Sequence, residues 1–234
     1  QPYYSEIEFG LIAETDYYVR IGGFGGGYGF GELTITSAGG SGGGEIWHVD
    51  TDILASGDGT SWGTAFETIE EALTVAVDDD EIWIAEGQYI PTEEQTSGDS
   101  RSVSFLIRQA ISIYGGFDGT ELTLEDRDVP SHHTILTGDI YGDDNSGDNI
   151  SENAYHVISS MNVITGSIII DGLWIYGGNA NVAAEPLGGG IFIDDSTTVP
   201  INVSLCKIRD NNAINGGGIA VENTSLSLLK AKIK

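Results

Sequence analysis

The tetrapeptide "GGGI" occurs twice in this chain, at 188–191 and 216–219, a step of 28 residues. A second pair of segments keeps the same order: "LWIYGGNAN" (173–181) aligns with "CKIRDNNAI" (206–214) at a step of 33. The steps differ by five, so an insertion must lie between the two matches, and "VAAEP" (182–186) has that length. Imperfect strand-and-turn repeats of ~20–30 residues are the pattern of stacked units whose connecting loops vary in length. The repeats therefore point to a solenoid.

The rest of the main domain agrees with strands. After "EIWIAEGQYI" (81–90), which alternates as a strand, apolar residues come in short runs separated by Gly, Asn and Asp, with no helical period. One helix is expected, over 64–77. Thr64 would be its N-cap, and Glu67 would complete a capping box. Phe66, Ile69, Leu73, Ala76 and Val77 then recur at helical spacing. Asp78, Asp79 and Asp80 follow, where three acids oppose the helix dipole and favour a turn.

Residues 1–36 read as a small antiparallel β segment, 37–45 as a Gly/Ser linker, and 46–234 as the main domain. Within the first segment, "IGGFGGGYGFGELTI" (21–35) lacks the glycine spacing of a dinucleotide loop. From Gly25 and Gly27 the third glycine position is Phe30. A phosphate loop needs a lysine, and the first one in the chain is Lys207. Alternating runs on both sides make this stretch a hairpin turn.

Charge excludes some partners. The chain carries 36 acidic and 9 basic residues, a formal net of −27. Such a field repels nucleic acid and anionic membrane and attracts divalent cations. No run approaches the ~20 apolar residues of a membrane helix, so no transmembrane segment is expected. Cys206 is the single cysteine, so no internal disulfide forms, and it is expected to be a buried small hydrophobe. No secretory leader is visible, and a start at Gln1 suits a processed terminus or a piece of a longer chain.

From Trp47 onward the chain resembles bacterial secreted right-handed parallel β-helix proteins of the pectate-lyase-like group. Within them it resembles those with polymorphic outer-membrane-protein-type GGGI repeats. The residues that carry the likeness are "DGTSWGTAFETIEEAL", "DEIWIAEGQYIPT", "SFLIRQAISIYGGFDGTE", "EDRDVPSHHTILTGDI", "NAYHVI", "IIIDGLWIYGGNAN" and the two GGGI turns. Separately, "TDYYVRIGGFGGGYGFGELTIT" is similar to the last strands of a pre-peptidase C-terminal-type β-sandwich. The resemblance implies an all-β fold, a right-handed parallel β-helix. The helix would cap its N-terminal end, and Ile, Leu, Val and Phe would point inward. It implies the fold more firmly than the function, since such folds serve lyases, hydrolases and non-catalytic surface proteins.

Several groupings could carry chemistry. "GDIYGDDNSGDNISEN" (138–153) places Asp139, Asp143, Asp144, Asn145 and Asp148 within ten residues, hard oxygen donors of the kind calcium takes. It is not an EF-hand, because the glycine position falls on Asp144. "EDRDVPSHH" (125–133) pairs Arg127 with Asp126 and Asp128 beside His132 and His133. A structural Arg fork is expected there, since neighbouring strand residues face opposite ways. Asp171 and Asp194 could stand as a glycosidase pair, but acids are too abundant for such a pairing to be informative. Arg108, Lys207 and Arg209 are the few cations of the central repeats, which counts against an anionic polysaccharide. Trp47, Trp62, Trp83 and Trp174 could stack on sugars, although Trp83 is expected in core or cap packing. Asn149, Asn202 and Asn223 begin glycosylation-type triplets.

The expected role is a non-catalytic extracellular structural protein, adhesin or filament and matrix component. It would self-associate through open β edges or bind other extracellular proteins, and calcium would stiffen it. "NTSLSLLKAKIK" at the end is strand-like and without a visible cap, which would leave such an edge. The alternatives are a polysaccharide lyase or glycoside hydrolase on the same scaffold, or a carbohydrate-binding module.

Overall fold

The computed structural model describes residues 44–144, 149–194 and 196–233. All of them belong to the unit that runs from 40 to 234. The hairpin and sandwich-like strands expected in 1–36 lie outside the described residues.

Three parallel sheets organise this unit, with a fourth short pair between them. The first sheet holds β1 (Ile46–Val49), β2 (Glu81–Ala85), β5 (Ser112–Phe117), β8 (Ile168–Asp171), β12 (Ile201–Ser204) and β16 (Leu226–Leu229). The second holds β3 (Gly87–Tyr89), β6 (Thr134–Thr137), β9 (Leu173–Tyr176), β13 (Lys207–Ile208) and β17 (Lys232–Ile233). The third holds β4 (Phe105–Ile107), β7 (Ile158–Ser160), β11 (Ile191–Ile193) and β15 (Ile219–Val221), and β10 (Asn179–Ala180) pairs β14 (Asn212–Ala213). From β2 on, the chain visits the first, second and third sheets in that order and then returns to the first. Each return adds a strand parallel to the one before.

The register places like residues over like. Ile82, Ile113, Ile170, Val203 and Leu228 form one column of the first sheet. Leu136, Ile175, Ile208 and Ile233 form one in the second, and Phe105, Ile158, Ile191 and Ile219 one in the third. The middle members are fully buried, each side chain stabilising the fold by roughly 1.5–3 kcal/mol. Paired strands lie ~4.8 Å apart, so equal side chains touch along a column without gaps. Burial falls toward the last strands, where Leu228 is 48% and Ile233 43% exposed.

Both repeats of the sequence are ladder registers. Ile191 pairs with Ile219, the 28-residue step, and Trp174 pairs with Lys207, the 33-residue step. Asn179 still pairs with Asn212, while Leu187 already bridges Asn215, so the five extra residues fall within 181–186. There Val182 bridges Glu185 across a turn, closing the insertion on itself.

The long apolar runs are not single strands. "EIWIAEGQYI" divides at Glu86 into β2 and β3, which belong to different sheets, and Gly87 turns the chain at φ 146°. Between β8 and β9 one residue makes the corner, Gly172 at φ 76°. A side chain there would meet the Gly115 carbonyl oxygen at 2.6 Å. The equivalent corner residues of the next two circuits, Leu205 and Lys230, also adopt positive φ, a conformation that costs a non-glycine residue about 1 kcal/mol or more.

The helix is shorter and starts later than the sequence suggests. α1 spans Ile69–Val75, and Thr68, not Thr64, is its N-cap, with Glu71 completing the capping box. The sequence holds Thr-x-x-Glu twice, and tertiary structure selects the second. Phe66 is bound on both sides by the backbone of β1, its N–H donating to His48 and its carbonyl accepting from Asp50. It is therefore extended, and Thr64 instead donates its hydroxyl to Asp58. Val77 lies beyond the helix and is exposed. Asp80, in the acidic turn, is buried and accepts from the Glu45 and Val77 N–H groups and the Trp47 indole. α1 packs its Ile69 and Ala72 face against β1 and β4, the edge strands of the first and third sheets. No helix among the described residues is long and apolar enough to cross a membrane.

Candidate functional site

The acidic loop follows β6. Gly138 donates its N–H to the Tyr176 carbonyl, which fixes where the chain leaves the sheet. Asp139, 7% exposed, then organises the turn. Its Oδ1 accepts the N–H groups of Gly142 (2.8 Å) and Asp143 (3.1 Å), and its Oδ2 that of Asp144 (3.2 Å). This winding brings carboxylate oxygens of Asp139, Asp143 and Asp144 within 4.8 Å of one another. Such a cluster can hold a metal ion. Asn145 and Asp148, the other expected donors, lie outside the described residues.

Two amides meet the cluster. Asn149 Nδ2 donates to Asp143 Oδ2 and Asn153 Nδ2 to Asp144 Oδ2, both at 2.7 Å. Asn153 was not singled out in the sequence, although it is nearly inaccessible to solvent and also donates to the Gly177 carbonyl at 2.7 Å. Its position is set by Arg101, also unremarked, whose Nε donates to the Asn153 carbonyl and whose Nη2 donates to the Asn179 carbonyl. Burial, with the charges of Asp139 and Asp143, raises the Asp144 carboxyl above its ordinary value, against the lowering effect of the Asn153 hydrogen bond.

The second candidate is a groove of about 670 Å³ lined by Leu124, Arg127, Val129, His133, Trp174 and Lys230, among others. Beside it the half-buried Arg127 pairs with the buried Asp171 at 2.6 Å. Arg127 also donates to the Gly115 carbonyl at 3.0 Å and lies over Tyr114. The expected fork is therefore present, but its carboxylate is Asp171 from the next circuit and not Asp126 or Asp128. Those two cap their own turns, Asp126 accepting from Thr123 and Asp128 from Ser131. Asp171 also accepts from Ser204. Trp174 stands between strands that bring His133 to 4.0 Å and the Lys207 ammonium to 3.7 Å from its ring centroid.

The remaining candidates are structural. His132 faces Glu86 at 3.1 Å while His133 turns to the Pro130 carbonyl and Trp174, so the pair does not converge. Asp171 ends a strand of the first sheet and Asp194 follows a strand of the third, where it caps Ser196. They do not share a sheet face. Trp83 stacks on Phe117 at 4.8 Å, and the Trp47 and Trp62 indoles donate to Asp80 and to the Glu121 carbonyl. Cys206 is buried, and burial pushes its thiol up to about 12, which leaves it unreactive at neutral pH.

Compared with protein-family models, with curated proteins and with solved structures, the chain matches none.

Proposed function

We propose that residues 46–234 form a right-handed parallel β-helix capped by α1, and that it serves as a non-catalytic extracellular structural, adhesin or filament protein. The invariant order in which the chain visits three parallel sheets supports the solenoid, and the strong preference of parallel crossovers for one hand supports its sense. One observation carries the role: the chemistry-bearing groups beside the groove, Arg127, Asp171, His133 and Trp174, are all engaged in internal contacts. A catalytic site instead leaves an acid, base or nucleophile aimed at substrate. Self-association would use the edge formed by β15, β16 and β17, which offers backbone groups and exposed Leu228, Leu229 and Ile233 to another coil. That coil would come from a second copy. Calcium in the acidic loop would stiffen the scaffold.

Sedimentation velocity with and without calcium, run beside a polysaccharide-cleavage screen, tests the role. Assemblies that grow with concentration and no cleavage are expected. A monomer at all concentrations that cleaves a glycan would replace the scaffold with a lyase or hydrolase.

A further inference from the structure

Among the described residues four buried side-chain oxygens lack a hydrogen-bond donor. Asp171 Oδ1 is one, and it faces the Arg127 guanidinium at 2.6 Å; Asp144 Oδ1, Glu152 Oε1 and Asn153 Oδ1 fall within ten residues of chain. Leaving such an acceptor dry and unpaired costs about 1–3 kcal/mol, so three together call for an unseen partner. Asn153 is the most informative of them. It is 1% exposed, it touches Asp144, and its side-chain Oδ1 accepts nothing although its Nδ2 makes two good bonds. Acceptor oxygens beside three clustered carboxylates suit a positive ion better than a donor group.

We propose that Asn153 completes a cation site with Asp139, Asp143 and Asp144, and that the site takes one calcium-like ion. The inference rests on the calcium reading of the loop and adds a ligand from outside the acidic run. All-oxygen donors of mixed carboxylate and amide type suit calcium; zinc takes nitrogen and sulfur, and magnesium keeps most of its waters. Because Asn153 is anchored by Arg101 and bonded to Gly177, the ion ties the loop after β6 to the second-sheet corner after β9.

The test is calorimetric titration of the intact chain with calcium chloride in about 0.5 M NaCl, where the diffuse acidic surface is screened. One saturable site is expected in the wild type, at least tenfold weaker in Asn153→Ala and in Asp144→Asn, and unchanged in Asp52→Asn at an exposed acid near β1. No saturable site in the wild type overturns both the calcium reading and the role of Asn153. Wild-type binding that Asp144→Asn weakens and Asn153→Ala leaves alone preserves the calcium reading and overturns the role of Asn153. If Asn153→Ala does not fold, Asn153→Asp answers the same question. A fourth carboxylate should melt earlier than wild type in chelator and gain more from calcium; an equal or smaller gain overturns the inference.

Discussion

The groove beside Trp174 and the loop after β6 both drew attention for their charged side chains, and they differ in how those charges are satisfied. In the groove Arg127 binds Asp171, a backbone carbonyl and a tyrosine face, and Trp174 is flanked by imidazole and ammonium. In the loop three carboxylates crowd together and buried oxygens remain unpaired among the described residues. In the first arrangement the one buried oxygen without a hydrogen-bond donor, Asp171 Oδ1, has the Arg127 cation beside it. An inventory of residue types cannot separate them; partner geometry can.

Removing Arg127 should have the largest effect. Arg127→Ala leaves Asp171 buried without its cation and is expected to cost about 3–5 kcal/mol in urea unfolding. Adding Asp171→Asn should recover part of that loss, because no uncompensated charge remains. A near-neutral Arg127→Ala would mean that the groove holds its charges loosely, and would reopen it as a catalytic site. Trp174→Ala comes next, at about 1–2 kcal/mol for the lost ring contacts with His133 and Lys207, read by the same unfolding curve.

The loop should answer differently. Asp144 has its folded-state value raised above 3.8, chiefly by burial. A raised carboxyl stabilises the fold while protonated, and that contribution fades as pH rises from the unfolded value through the folded one. At pH 7 in chelator Asp144→Asn should therefore melt slightly higher than wild type, by less than about 1 kcal/mol after solvent screening. In calcium the order should reverse. Melting curves in the two buffers check the crossing, and failure to cross would make the loop as self-sufficient as the groove. The smallest effect is expected at His132, raised mainly by its hydrogen bond to Glu86. Its stabilisation is full below about 6.5 and lost as pH rises through the folded value, so His132→Ala should cost no more than about 0.5 kcal/mol at pH 5.5 and nothing at pH 9.

The repeats were legible because a parallel ladder imposes equal spacing: the 28- and 33-residue steps are register pairs, and the displaced "VAAEP" marks the longer loop. The helix was legible in kind and misplaced by one turn, since two Thr-x-x-Glu boxes compete and only the backbone bonds of Phe66 to β1 choose between them. The cut of "EIWIAEGQYI" at Glu86 was hidden because the stretch reads as one alternating strand and only Gly87 marks the corner. Arg127 was read with its sequence neighbours, whereas its partner comes from the next circuit of the chain. Asn153 was hidden because it lies outside the ten-residue acidic run, and only its burial beside Asp144 makes it a candidate ligand.

The five residues at 182–186 lengthen one circuit without moving the ladders on either side: Asn179 keeps Asn212, and Ile191 keeps Ile219. Loop length at that corner is thus decoupled from the core. A lineage could vary such loops freely, and a protein engineer could graft a peptide epitope between Val182 and Glu185, while the columns of isoleucine beneath stay in place.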